Sequence, residues 1–209
     1  RVTVHLRDKV EAIPGSNIKR ECLILIPSYE NKSYIIDRDG NYWRMYIFIS
    51  NHRSYNIVDS LDKAFEGGKA IGRFQAMLAD MPGGPLFETI PRFHDIENRL
   101  DILDRTIGAD PVGRVATVGE ELDQYLSRAE EMKTILKLGK AGKIPLRITH
   151  NDTKFNNILL DENDKALCVI DLDTVMPGYV HYDFGDAIRT VANTAAEDEK
   201  DLPKIKMDI

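Results

Sequence analysis

A short stretch toward the C-terminal end leaves this chain the least freedom in how it folds. Ile158-Leu-Leu160 is followed by Asp161-Glu-Asn-Asp164 and then by Leu167-Cys-Val-Ile170, and the second apolar run ends on Asp171-Leu-Asp173. Short apolar runs on either side of a cluster of turn residues read as two neighbouring strands. Directly ahead of the first strand lies the polar segment His150-Asn-Asp-Thr-Lys-Phe-Asn-Asn157, and the apolar strand after it suits an anchor in the core. Leu146 to Ile148, just before that segment, reads as one more short apolar run.

The rest of the chain sorts around this hairpin. Val2, Leu6 and Val10 recur with charges between them and predict a helix. Leu23 to Ile26 reads as a short buried strand. Ser33–Ile36 and Tyr42–Ile49 flank Asp37-Arg-Asp-Gly40 and read as a hairpin, because Asp39-Gly40 supplies the positive φ values a tight turn needs. From Asp59 or Ser60, either of which can cap, the sequence turns helical: Leu61, Ala64, Phe65, Ala70, Ile71, Phe74, Met77 and Leu78 recur at helical spacing up to Asp80. Met81 to Pro85 is a loop, Ile96–Ile107 a helix, and Val118–Leu138 one long helix stopped by Gly139 and Gly142. A final helix starts near Asp183, and Ala196–Asp201 reads as a solvated helix or loop face. Strands come first, helices follow, and one hairpin is set among the helices. The order predicts an α+β, two-lobed arrangement with its natural boundary near Asn51.

Charge and cysteine usage narrow the function classes. At 209 residues the chain can bury a real core, and its net charge of −6 argues against broad nucleic-acid binding, which needs clustered Lys and Arg. Cys22 and Cys168 both sit in apolar runs and read as buried small hydrophobes, which fits a reducing, cytoplasmic setting. No apolar run approaches membrane-spanning length and no charged-then-apolar leader appears, so no membrane association is expected.

The segment His150–Asn157 has the pattern H-x-D-x-K-x-x-N and resembles the catalytic loop of kinase-like phosphotransferases. Asp152 can accept or orient the proton of an attacking hydroxyl. Lys154 can neutralise charge on a moving phosphoryl group, and Asn157 can offer a neutral oxygen to a divalent metal. His150 reads as a brace for the loop. Asp171 comes fourteen residues after Asn157 and matches the metal-binding carboxylate of that superfamily. Asn157 with Asp171 suits Mg2+, which takes few oxygens from protein and the rest from phosphates and water. Asp173 can help with a second metal or face the acceptor.

Flanking words extend the likeness. Ile144-Pro-Leu-Arg-Ile-Thr149, Ile170-Asp-Leu-Asp-Thr-Val-Met-Pro-Gly178, Tyr182-Asp-Phe-Gly-Asp186, Ala192-Asn-Thr194, Gly40-Asn-Tyr-Trp-Arg-Met-Tyr46 and Phe93-His-Asp95 are similar to the N-acetylhexosamine 1-kinases of the aminoglycoside phosphotransferase and choline kinase superfamily. The resemblance implies a protein-kinase-like fold. Residues 1–50 are then a partial N-lobe, a helix plus antiparallel strands, ending in the interlobe hinge. Residues 51–209 are a mostly helical C-lobe that carries the catalytic hairpin. It also implies ATP as donor, Mg2+, and a small-molecule sugar phosphorylated at its anomeric hydroxyl. The hinge would offer Met45, Tyr46, Ile47, Phe48 and Ile49 as an adenine wall, though each also suits an ordinary sheet strand. Arg189, Thr190 and Asn193 fall with Asp152 on the acceptor side. Asp183 belongs to a structural D-F-G-D element and either braces the catalytic loop or caps its helix. His94 reads as structural.

The nucleotide clamp departs from the family pattern. No Gly-rich loop or Lys-bearing strand is found early in the chain, and Gly67, Gly68 and Gly72 lie inside a helical pattern. The chain does not begin with Met, reads as starting at the N-lobe helix, and stops soon after the Asp183 helix. It is therefore expected to be a C-terminally truncated piece of a longer kinase, poorly active by itself. Two other readings stay open: a kinase for an aminoglycoside or amino alcohol, and a non-catalytic kinase-like binding module.

Overall fold

The computed structural model describes residues 1–207. Helix α1 (Val2–Glu11) turns Leu6 and Val10 inward, as the spacing predicts. A short helix α2 (Ile18–Glu21) is capped by Asn17, whose side chain accepts the Lys19 amide hydrogen. Strands β1 (Leu25–Ile26), β2 (Ile35–Ile36), β3 (Tyr42–Trp43) and β4 (Met45–Tyr46) follow. The hairpin forms where expected: β2 pairs with β3, Gly40 takes φ +84°, and Asp37 accepts the amides of Asp39 and Asn41. The strand expected over Tyr42–Ile49 breaks at Arg44, however, and its second half, β4, pairs with β1. The strand expected to be buried at Leu23–Ile26 is shorter and only half covered. The cross-strand pair Leu25 and Tyr46 is partly buried while Ile26 and Met45 are exposed, the alternation of a sheet with one open face.

Helix α3 (Leu61–Leu78) begins at Ser60, whose hydroxyl accepts the Lys63 amide hydrogen, and buries Ala70, Ile71, Phe74 and Leu78. Leu61 and Phe65, expected on its apolar face, are 89% and 70% exposed. Helix α4 (Ile96–Ala109) is capped by Asp95. The long helix expected over Val118–Leu138 is instead three pieces: α5 (Gly119–Ser127), α6 (Ala129–Met132) and α7 (Thr134–Lys140). At the two breaks the hydroxyls of Ser127 and Thr134 bond to the carbonyls of Gln124 and Glu131, so side chains compete with the helix ladder. Gly142, at φ +68°, lets the Lys143 amide reach Leu138 and ends α7.

Strands β5 (Arg147–Thr149), β6 (Ile158–Leu160), β7 (Ala166–Val169) and β8 (Met176–Gly178) lead into α8 (Val180–Val191), which starts three residues before the expected Asp183. β6 pairs antiparallel with β7, and β5 with β8. The β6–β7 hairpin is covered on both faces. Ile158 and Leu160 lie with Ala70, Ile71 and Phe155 on one side, and Leu159 and Cys168 with Ile49 on the other. The third cluster joins the two ends of the chain: Leu6, Val10 and Cys22 share a core with Phe74, Leu78 and Val175. Both cysteines are free and buried, and burial pushes the Cys22 thiol up to about 11. Among the described residues, no helix is long and apolar enough to cross a membrane.

Candidate active site

The polar loop after β5 is held from beneath. Asp183, fully buried in the first turn of α8, accepts the backbone amides of His150 at 3.0 Å and Asn151 at 2.7 Å and the Gln75 side-chain amide at 2.8 Å. It therefore braces the loop, and Tyr179 occupies the N-cap position of α8. The Asp183 backbone carbonyl accepts the Thr153 hydroxyl at 2.7 Å. His150 is 1% exposed. Its Nδ1 accepts the Asp152 amide at 3.3 Å and its Nε2 donates to the Ile170 carbonyl at 2.9 Å, so one imidazole ties the loop to the end of β7. His94 Nε2 lies 2.9 Å from the Asn151 carbonyl and its ring packs tilted against Tyr182, a structural placement. Phe155 anchors the far side of the loop by packing over Gly67 of α3.

Asp152 stands at the centre of this loop with its side chain partly exposed. The Asn157 side-chain NH2 donates to the Asp152 carbonyl at 2.9 Å and to its carboxylate at 3.3 Å, leaving the Asn157 amide oxygen facing away. The Ile170 amide donates to the Asn157 carbonyl at 2.9 Å, so the hairpin register sets Asn157 beside the residue before Asp171. Asp171 is exposed, adopts the left-handed φ of 58°, and among the described residues makes no side-chain hydrogen bond or ion pair. Among the described residues two oxygens are thus left without protein partners, one neutral and one charged. That donor set fits a hard divalent cation that keeps most of its shell for phosphate and water. Among the described residues, no group of three or more His, Cys, Asp or Glu gathers as a metal cage. Asp173 lies elsewhere: its carboxylate pairs with Arg44, and its carbonyl accepts the Thr89 hydroxyl at 2.9 Å.

Lys154 lies 3.7 Å from Asp152 and 3.2 Å from Glu197. The Glu197 hydrogen bond, against the opposing effect of burial and with help from Asp152, holds the Lys154 ammonium above the usual lysine range. Glu197 also meets Arg189 at 3.1 Å, and Arg189 pairs with Asp186 at 2.9 Å. Lys154, Arg189, Thr190 and Asn193 line one groove of about 390 Å³ together with Asn56 and Glu197. Within it the Thr190 hydroxyl is spent on the Ala187 carbonyl, and the Asn193 side-chain oxygen accepts the Ala195 amide. The pairing of Glu197 was not visible in the sequence. It sits in an acidic run, is exposed as expected of that run, and has no periodic neighbour to single it out.

Of the five residues expected at the hinge, Tyr46 lines a cleft of about 660 Å³, shared with Trp43, Arg44, Leu172 and Asp173. Met45 and Phe48 are 64% and 80% exposed, Ile47 is at the surface, and Ile49 is buried against the hairpin. A second unforeseen residue is Glu66, 3% exposed inside α3, which accepts the Ala166 amide at 3.0 Å and pairs with Lys69 and Lys165. A glutamate inside an amphipathic helix normally reads as part of the solvent face.

A solved structure of spectinomycin phosphotransferase in its AMP-bound complex has the same kinase-like α+β fold, with a TM-score of 0.50, 15% identity and 91% of this chain covered. The present chain spans 61% of that protein's length. The sequence model of the phosphotransferase enzyme family matches residues 36–202, from the end of β2 past α8 and so through the loop, the hairpin and Asp171, and the chain belongs to that family.

Proposed function

We propose that this chain carries the phosphoryl-transfer site of an ATP-dependent small-molecule kinase whose acceptor is an N-acetylhexosamine, made into its 1-phosphate. The observation that carries the reading is Asp152, braced through His150 and Asp183 and bonded by Asn157, with Asp171 at the end of the paired strand and its carboxylate unpartnered among the described residues. Asp152 accepts the proton of the anomeric hydroxyl as its oxygen bonds to the γ-phosphorus. The bridging P–O bond breaks, and its electron pair leaves with ADP. Lys154 faces the charge on the phosphoryl group in flight. Asn157 and Asp171 would hold Mg2+, which when bound neutralises phosphate charge. Such a transition state needs positioning and electrostatics more than covalent chemistry, and a loop pinned on two sides suits that demand. Arg189, Thr190 and Asn193 lie on the acceptor side. Residues 1–50 serve as the N-lobe portion and residues 51–209 as the C-lobe. The left-handed Asn51 at that boundary supports the division. Tyr46 and the hinge backbone around it take the nucleoside, with Asp173 turned toward the same cleft.

The hexosamine rests on the flanking words quoted above. A second acceptor class is favoured by a different observation: Asp198 also lines the acceptor groove, and its carboxylate, in no ion pair among the described residues, suits a cationic aminoglycoside. The test is ATP and Mg2+ with N-acetylglucosamine, N-acetylgalactosamine, spectinomycin and choline, products read by phosphorus NMR. A new anomeric phosphate signal is expected with a hexosamine. Transfer only to spectinomycin or choline would replace the acceptor, and transfer to none would leave a kinase-like binding module.

A further inference from the structure

Glu197 carries the strongest unexplained geometry in the molecule. It stands on the segment after α8, outside the loop and the hairpin, yet its two carboxylate oxygens are divided between the two cations of the acceptor groove, Lys154 at 3.2 Å and Arg189 at 3.1 Å. Lys154 is the group that must face the phosphoryl in flight, and its other anionic neighbour, Asp152, is farther off at 3.7 Å. Arg189 keeps a second partner in Asp186, so it stays oriented if Glu197 leaves. Among the described residues Lys154 has no such second anchor at hydrogen-bond distance. Asp186 is itself within 3.4 Å of the Thr153 hydroxyl, which ties this cluster to the catalytic loop. The Glu197 carboxylate is 55% exposed and the Lys154 side chain 31%, so the pair is screened by water and an incoming polar molecule can displace it at modest cost.

Resting on the kinase reading above, we propose that Glu197 is a positioning residue that withholds Lys154 until the acceptor enters the groove. An acceptor seated among Asn56, Arg189 and Asn193 takes the space into which Glu197 reaches. The carboxylate swings out, and Lys154 turns from it to the phosphoryl group. Without acceptor, Lys154 stays with Glu197. Transfer to water is then suppressed: in that side reaction a water oxygen bonds to the γ-phosphorus, the bridging P–O bond breaks with its electron pair leaving on ADP, and the water proton passes to Asp152. Glu197 is thus a device for coupling ATP use to acceptor occupancy.

The experiment compares the wild-type protein with Glu197→Gln and Glu197→Asp, each checked for folding by circular dichroism. ATP consumption without acceptor is measured beside acceptor phosphorylation, and Lys154 is titrated by NMR after reductive 13C-methylation. Glu197→Gln is expected to raise acceptor-free hydrolysis about two- to five-fold, the worth of one partly exposed ion pair. It should also lower phosphorylated acceptor formed per ATP, and bring the Lys154 titration down. Glu197→Asp, which keeps the charge on a shorter stem, should fall between. An unchanged ratio of hydrolysis to transfer overturns the proposal. So does a variant whose only defect is a raised KM for the acceptor, since Glu197 would then bind acceptor directly. If the wild type transfers phosphate to no acceptor in the panel, the kinase reading fails first, an outcome distinct from a working kinase whose ratio does not move.

Discussion

Asp152 and Asp171 are held in opposite ways. Asp152 is fixed through its own backbone and through Asn157, whereas Asp171 projects from a left-handed residue with no partner among the described residues. Replacing Asp152 with Asn removes the proposed proton acceptor and leaves the oxygens of Asn157 and Asp171 in place. Turnover is expected to fall about a hundred-fold or more while MgATP affinity stays within a few-fold. Steady-state kinetics with a nucleotide titration decide this, and near-normal turnover would exclude Asp152 as the base. The neighbouring carboxylates separate by a second pair of variants. Asp171→Ala should weaken Mg2+-dependent nucleotide binding more than Asp173→Ala, because Asp173 is already engaged by Arg44. Calorimetric titration of MgATP into both variants is the check, and a larger loss at Asp173 would reverse the assignment.

At the scale of elements, α3 and the β6–β7 hairpin form one unit, joined by Glu66 and Gly67. Burial opposes ionisation of Glu66, but the Ala166 amide and the ammonium groups of Lys69 and Lys165 outweigh it and hold the carboxyl below the usual glutamate range. A carboxyl lowered by folding contributes stability that is complete above its unfolded value and lost as pH falls through its folded value. Urea unfolding should therefore show Glu66→Gln less stable than wild type by about 1–3 kcal/mol at pH 7, with the gap narrowing below roughly pH 4.5. A gap that widened in acid would refute this account. Gly67 explains why α3 carries a glycine where alanine favours helix: a Cβ there would come within 2.7 Å of the buried Phe155 ring. Gly67→Ala should cost about 1–3 kcal/mol by overpacking and shift the catalytic loop. Gly68→Ala meets nothing within 4 Å and should stabilise by about 0.5–1 kcal/mol, as propensity alone dictates. Thermal melts of the two variants, moving in opposite directions, are the expected result.

At the scale of the whole molecule, the first fifty residues own no separate core. Leu6, Val10 and Cys22 are completed by Phe74, Leu78 and Val175. Leu6→Ala is thus expected to destabilise the entire chain by about 2–5 kcal/mol. Fluorescence of Trp43, the only tryptophan, and far-UV dichroism of the helices should shift together in one transition; separated transitions would show that the two parts fold independently. The sequence alone determined whatever depends on neighbours along the chain. The catalytic-loop pattern, the Asp161–Asp164 turn, the cap at Asp59 or Ser60 and the Gly142 stop are local chemistry, and each was legible. Long-range pairing was not. That Tyr42–Ile49 divides between two partner strands, that Asp183 supports the loop rather than capping α8, and that Glu66 is buried were all decided by elements distant in sequence. Residue type and spacing record which groups a segment carries. Only the packed fold decides which distant donor or cation satisfies each of them, because a buried carboxylate persists wherever its partners converge.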